Sequence, residues 1–120
     1  MKKATTTKKE KKVTISRRDR EAIAEFKRRV REVFPEAEII LFGSVARGEK
    51  HRYSDIDLLV ILDREINPAI KKEIYDLAYD LDLEHEVLLA PFVKSRHFWE
   101  SDRANTMPLK WNVDREGIKI

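Results

Sequence analysis

Residues 39–63 read IILFGSVARGEKHRYSDIDLLVILD, and this stretch decides the fold. A short apolar run, Ile39–Phe42, ends at Gly43-Ser44, and a second run, Asp55–Asp63, opens with two aspartates separated by one residue. Both runs are apolar on both faces, which is typical of interior strands. The pattern therefore predicts two buried strands with polar residues gathered where the first ends and the second begins.

Asp55 and Asp57 form the most informative pair of residues in this stretch. In a strand, residues i and i+2 share a face, so the two Cα atoms would lie about 6.6 Å apart. At an effective dielectric of about 20, two carboxylates at this distance repel by roughly 2.5 kcal/mol. Such a pair is a poor structural choice unless a cation lies between the carboxylates. Since Mg²⁺ binds one or two carboxylates together with water and substrate phosphates, the pair predicts a divalent-metal site.

The Gly43-Ser44 dipeptide, called the Gly-Ser turn below, offers free backbone N–H groups and a hydroxyl, which suit an anion. Residues 45–48 are predicted to form one helical turn after it. Arg47 in that turn can reach either a bound phosphate or the protein surface. His51 and Tyr53, in the polar loop that follows, are expected at its exposed rim.

The spacing G-S-x10-D-x-D, in the longer contexts GSVARG and SDIDLLV, resembles the signature of the polymerase-beta-like nucleotidyltransferases, and above all their minimal domains. The resemblance covers roughly residues 20–120. It implies an α/β fold with a small mixed sheet of three to five strands and flanking helices. It also implies nucleotidyl transfer from ATP with two Mg²⁺ ions, the triphosphate lying on Gly43, Ser44 and Arg47 and the metals on Asp55 and Asp57.

The family completes its metal site with a third carboxylate on the next long strand. Residues 83–93 are predicted to form that strand, with Asp82, Glu84 and Glu86 along one side. The resemblance assigns the third catalytic and metal-binding position to Glu86, with Glu84 as the alternative. A solvated edge without a third ligand is also compatible with the pattern.

Minimal domains of this kind resemble the antitoxin partners of HEPN-type toxins, some of which transfer AMP to the toxin. The resemblance therefore implies a hydroxyl of a partner protein as the acceptor, and a homo- or hetero-oligomer. A second hypothesis is a binding antitoxin that occludes its partner without turnover. A third is a nucleic-acid module that works through the basic N-terminus.

Composition places this chain of 120 residues among single domains. Residues 1–12 contain six lysines and one glutamate, a charge of +5 that leaves −2 of the total +3 for the remainder. We expect residues 1–12 to be a disordered basic tail, which either solubilises the chain or contacts an acidic partner, and residues 13–120 to be the domain. The absence of cysteine favours the reducing cytoplasm, and no run is long enough to span a membrane.

Helices are predicted wherever a capping residue precedes an apolar stripe. Ser16 precedes one, Asn67-Pro68 precedes another, and Ser95 and Pro108 begin two short ones. The first stripe comprises Ile23, Phe26, Val30 and Val33, and the second comprises Ile70, Ile74, Leu77 and Leu81, with Tyr75 and Tyr79 on a neighbouring face. We expect the C-terminal aromatics, Phe98, Trp99 and Trp111, to close the core and residues 118–120 to return as a last strand.

Overall fold

The computed structural model describes residues 15–49 and 54–120. The predicted basic tail and the predicted positions of His51 and Tyr53 lie outside these residues.

The sheet is mixed and has four strands in the order β3-β2-β1-β4. Strand β1 is antiparallel to both β2 and β4, whereas β2 and β3 run parallel. The strands span β1 Glu38–Phe42, β2 Ile56–Leu62, β3 Leu89–Ser95 and β4 Ile118–Lys119. The predicted mixed α/β fold and the two strands of the central stretch are thereby confirmed.

Three of the described helices begin directly after predicted capping residues, whereas the turn predicted over residues 45–48 begins two residues earlier, at Gly43. Ser16, Asn67 and Ser95 each accept a hydrogen bond from a backbone N–H three residues later. The helices span α1 Arg17–Val33, α2 Gly43–Arg47, α3 Pro68–His85, α4 Arg96–Trp99 and α5 Pro108–Glu116, with a 3-10 turn at Ala104–Thr106. None of the helices in the described ranges has the length and apolar composition needed to cross a bilayer.

Strand β2 is the centre of two hydrophobic layers. Ile56, Leu58 and Val60, on one face, belong to the larger layer, which α1 and α3 cover. Leu59 and Ile61, on the other face, pack with residues of α4 and α5. The apolar side chains on both faces of β2 are buried, so the strand is held rigidly. Asp55 and Asp57 lie directly before and after its first residue, Ile56.

The predicted strand over residues 83–93 is wrong in its first half. Helix α3 continues to His85, and β3 begins only at Leu89. The backbone oxygen of Asp82 accepts the N–H of Val87, and its carboxylate accepts the N–H of Leu89, so these contacts at the helix end outweigh the local alternation of acidic and apolar residues. Glu86 ends the helix in the left-handed conformation, with φ of 57°.

Two predicted core positions are also wrong. Val33, assigned to the apolar stripe of α1, is 42% exposed, and Phe34 beyond the helix end is buried instead. Of the two tryptophans expected to close the core, Trp99 is 7% exposed and Trp111 is 53% exposed. Trp111 lies on the outer side of α5, and its indole N–H donates to the backbone oxygen of Asn105.

The two tryptophans give a matched test of this packing. Trp99→Ala should lower the free energy of unfolding by about 3–5 kcal/mol, because it empties a buried site. Trp111→Ala should lower it by about 1 kcal/mol, the usual contribution of one hydrogen bond. Urea unfolding followed by far-UV circular dichroism measures both, and similar losses for the two variants would contradict the described core.

Candidate active site

The Gly-Ser turn meets the aspartate pair because β1 ends where β2 begins. Phe42, the last residue of β1, is paired across the antiparallel ladder with Asp57. Gly43 follows with φ of 80°, and a Cβ at this position would overlap the Oδ2 atom of Asp57. Both the backbone conformation and the space therefore require glycine.

A cavity of about 410 Å³ lies at this end of the sheet. Five of the six site residues predicted from the sequence line it, namely Gly43, Ser44, Arg47, Asp55 and Asp57, and Glu116 lines it as well. The structure thus brings the predicted phosphate-binding and metal-binding residues into one concave site, whereas Glu86 is absent from its lining.

Asp57 is held in an environment that disfavours its charge. Its pKa is raised first by burial, then by the neighbouring carboxylate of Asp55 and that of Glu116, while the Arg47 guanidinium lowers it in part. Asp55 itself is exposed to solvent. The crowding of negative charge gives this cavity the electrostatics of a cation site.

Glu116, the last residue of α5, is the functional candidate that sequence reasoning missed. Its Oε2 atom accepts a hydrogen bond of 2.8 Å from the backbone N–H of Gly43. Its two carboxylate oxygens each lie 3.1 Å from Nη1 of Arg47. Glu116 and Gly43 are 73 positions apart in the chain, so no local sequence pattern predicts this contact.

The structure gives no geometric support to Glu86 or Glu84 as the third carboxylate. Glu86 lies at the exposed C-terminal cap of α3, and Glu84 pairs with Arg29 at 2.9 Å. On β3 the residue opposite Asp57 is Ala90, and the backbone oxygen of Leu88 accepts the N–H of Ile56. The strand beside the aspartate pair therefore presents apolar residues at the paired positions, and the role of Glu86 stays a prediction.

Asp82, near the end of α3, is another carboxylate whose charge interacts with that of Asp55. Its Oδ1 atom accepts the backbone N–H of Leu89 at 2.8 Å and so joins the helix end to β3. Burial raises its pKa, the hydrogen bond from Leu89 lowers it, and the charge of Asp55 raises it further. In the parts of the chain that the structure describes, no group of three or more His, Cys, Asp or Glu side chains has the geometry of a metal centre.

A wider cavity of about 680 Å³ lies at the opposite ends of β2 and β3. Asp63, expected at the far end of the strand from the aspartate pair, lies there and pairs with Arg96 at 2.9 Å. Arg96 also pairs with Glu38, and Arg64 pairs with Glu36. This cavity has none of the motif residues, so the smaller cavity is the candidate active site.

Comparison with known proteins identifies a matching family profile, a similar sequence and similar folds. The sequence profile of the family described as "Nucleotidyltransferase domain" matches residues 23–107. A Methanocaldococcus jannaschii protein that carries the name protein adenylyltransferase is 31% identical over 75 residues, which cover 61% of this chain and 76% of that protein.

Two crystal structures of toxin–antitoxin complexes contain a chain of similar fold. The first, solved with AMP-PNP, has a TM-score of 0.58 at 22% identity, over 82% of this chain and 69% of that one. The second, a variant MntA–HpeT complex, has a TM-score of 0.57 at 20% identity, over 81% of this chain and 69% of that one. At these identities the likeness is one of fold.

The environment of Asp57 predicts a pH-dependent effect on stability. Its pKa in the folded state lies above the unfolded value of about 3.9, so the folded state binds this proton more tightly. The resulting stabilisation is complete below the unfolded pKa and is lost as the pH rises through the folded pKa. Asp57→Asn should therefore raise the melting temperature at neutral pH, and the gain should vanish near about pH 3.5.

Thermal unfolding of both chains across this pH range, with a chelator present, measures the difference. Asp63→Asn is the control, because Asp63 is exposed and paired with Arg96 and its neutralisation relieves no repulsion. A melting temperature for Asp57→Asn equal to or below that of the wild type at neutral pH would contradict the described electrostatics.

Proposed function

The chain belongs to the nucleotidyltransferase domain family, and we propose that it transfers AMP from ATP to a hydroxyl group of a partner protein. The observation that carries the proposal is the meeting of Asp55 and Asp57 with the Gly-Ser turn in one cavity. A carboxylate pair and a set of anion-binding groups are both needed to place a metal–triphosphate.

The residues of the cavity fit a divalent cation. Burial and two neighbouring carboxylates raise the pKa of Asp57, so a positive ion at Asp55 and Asp57 would relieve the repulsion that the structure shows. Mg²⁺ is bound by one or two carboxylates when substrate phosphates and water supply the other ligands, so the pair is sufficient with a nucleotide bound. When bound, Mg²⁺ would neutralise phosphate charge and favour the alkoxide form of the acceptor.

The Gly-Ser turn and Arg47 would bind the triphosphate. Gly43, Ser44 and Arg47 line the same cavity, and a backbone N–H, a hydroxyl and a guanidinium are groups that bind phosphate oxygens. The acceptor oxygen then forms a bond to the α-phosphorus as the bond from this phosphorus to the bridging oxygen breaks. Pyrophosphate leaves with the electron pair, and the proton of the acceptor is released to solvent.

A protein acceptor agrees with the comparisons and with the surface of the chain. The similar archaeal protein is named for transfer to a protein, and the two similar folds come from toxin–antitoxin complexes. On α3, the side chains of Tyr75, Tyr79 and Leu83 are exposed by 44%, 62% and 65% and are spaced four residues apart, so they form one apolar stripe. We propose this stripe as the surface that binds the partner, a toxin of the HEPN type.

A catalytically silent antitoxin that occludes its partner is the second candidate function. The observation that favours it is the lack, within residues 15–49 and 54–120, of a third carboxylate arranged with the aspartate pair as a metal centre. The two functions differ in their need for Asp57, because occlusion requires the docking surface and transfer requires the cavity.

Transfer of label from α-labelled ATP to the co-purified partner tests the enzyme. Asp57→Asn should slow transfer by at least about 10²-fold, because it removes a metal ligand needed in the transition state. Asp63→Asn makes the same chemical change at the other end of β2 and should leave the rate unchanged. Absence of transfer by the wild type, with full neutralisation of the partner by Asp57→Asn, would leave the occluding antitoxin as the function.

Co-purification with the partner tests the stripe on α3. A Tyr79→Ala and Leu83→Ala double variant should lose the partner, because both side chains are more than half exposed and fit a protein interface better than solvent. Trp111→Ala removes the exposed aromatic residue of α5 and is the matched control. If only Trp111→Ala loses the partner, the docking surface lies on the C-terminal helix α5 and not on α3.

A further inference from the structure

We propose that Glu116 occupies the phosphate-binding position of the cavity and must be displaced for a nucleotide to bind. This inference rests on the proposed nucleotide site. It makes Glu116 a residue that sets nucleotide affinity, acting as an internal competitor of the triphosphate.

The first observation is the carboxylate on the Gly-Ser turn. The side chain of Glu116 is 10% exposed, and its Oε2 atom accepts the N–H of Gly43 at 2.8 Å. That N–H is the donor that would face a phosphate oxygen in the proposed site. A carboxylate oxygen and a phosphate oxygen are both anionic acceptors, so one N–H with one favourable direction cannot serve both fully.

The second observation concerns Arg47, a cation among the described residues that line the cavity. Its Nη1 atom contacts both oxygens of Glu116 at 3.1 Å, and its Nε donates to Glu49 at 2.9 Å. Two of the three groups proposed to bind the triphosphate, the N–H of Gly43 and the guanidinium of Arg47, are thus already engaged by the same carboxylate. Glu116 also lines the same cavity as Asp55 and Asp57.

The backbone around Glu116 is held firmly, so displacement would involve the side chain. Gly117 packs so closely that an added Cβ would lie 2.6 Å from the backbone oxygen of Val113 and 2.8 Å from Cγ2 of Ile40. Directly after it, Ile118 and Lys119 pair with β1. Rotation of the Glu116 side chain can release Gly43 and Arg47 without moving α5 or β4.

Nucleotide can bind only to molecules in which the carboxylate of Glu116 is displaced. The apparent affinity for nucleotide is therefore the intrinsic affinity multiplied by the fraction of such molecules. Glu116→Gln keeps the size of the side chain but removes the charge that makes its hydrogen bonds strong. We expect the dissociation constant for ATP with Mg²⁺ to fall about tenfold, since a hydrogen bond to a charged group contributes about that factor or more.

Isothermal titration calorimetry of the wild type, Glu116→Gln and Asp114→Asn with MgATP tests the inference. Asp114 lies on the same helix and pairs with Lys110 on the surface, so Asp114→Asn makes the same change in net charge away from the cavity lining. Tighter binding by Glu116→Gln, with Asp114→Asn equal to the wild type, supports the inference.

The other outcomes overturn it in distinguishable ways. Equal affinity in all three chains assigns Glu116 a structural role only, and weaker binding by Glu116→Gln makes it a contributor to the nucleotide or metal site. In both cases the proposed function stands. If no chain binds MgATP, the nucleotide site itself is refuted, and this inference fails with it.

Discussion

The backbone of Gly43 lies so close to the carboxylate of Asp57 that no Cβ fits between them. This contact follows from the antiparallel register of β1 and β2, which pairs Phe42 with Asp57. The Gly-Ser turn and Asp57 are therefore positioned by the sheet ladder. Since groups on strands and at their ends are placed more accurately than groups on loops, the register of β1 and β2 determines how the turn meets Asp57.

Repulsion among the negative charges in the cavity lowers the stability of the folded chain. The hydrophobic layers around β2 offset this loss. Asp57, Asp55 and Glu116 repel one another when the site contains no cation, as the raised pKa of Asp57 shows. Many of the ion pairs lie on the surface, such as Lys72 with Asp76, and exposed pairs of this kind contribute about 0–1 kcal/mol each. The high charge content therefore does not explain the fold, whereas the fully buried side chains of β2 do.

The parts of the structure that follow from local pattern were predictable from the sequence. The two central strands, the capped helix starts and the meeting of Gly43, Ser44, Asp55 and Asp57 all depend on residues close together in the chain or on one known motif. Residues 83–88 were not predictable in this way. Asp82, Glu84 and Glu86 alternate as in a strand, but Asp82 accepts the N–H groups of Val87 and Leu89 at the end of α3. Glu86 ends the helix without the glycine or asparagine that usually marks such a cap.

Glu116 shows the second limit of sequence reasoning, which is the long-range contact. It lies beyond residues 23–107, the part of the chain that the family profile matches, and neither a local pattern nor the G-S-x10-D-x-D motif points to it. The structure nevertheless brings it onto Gly43 and Arg47, because α5 crosses back to the sheet and β4 pairs with β1. The carboxylates that line the cavity thus come from β2, its preceding residue and the C-terminal helix, while β3 presents Ala90 beside Asp57. The C-terminal helix α5 therefore contributes a side chain to the same cavity that the motif residues line.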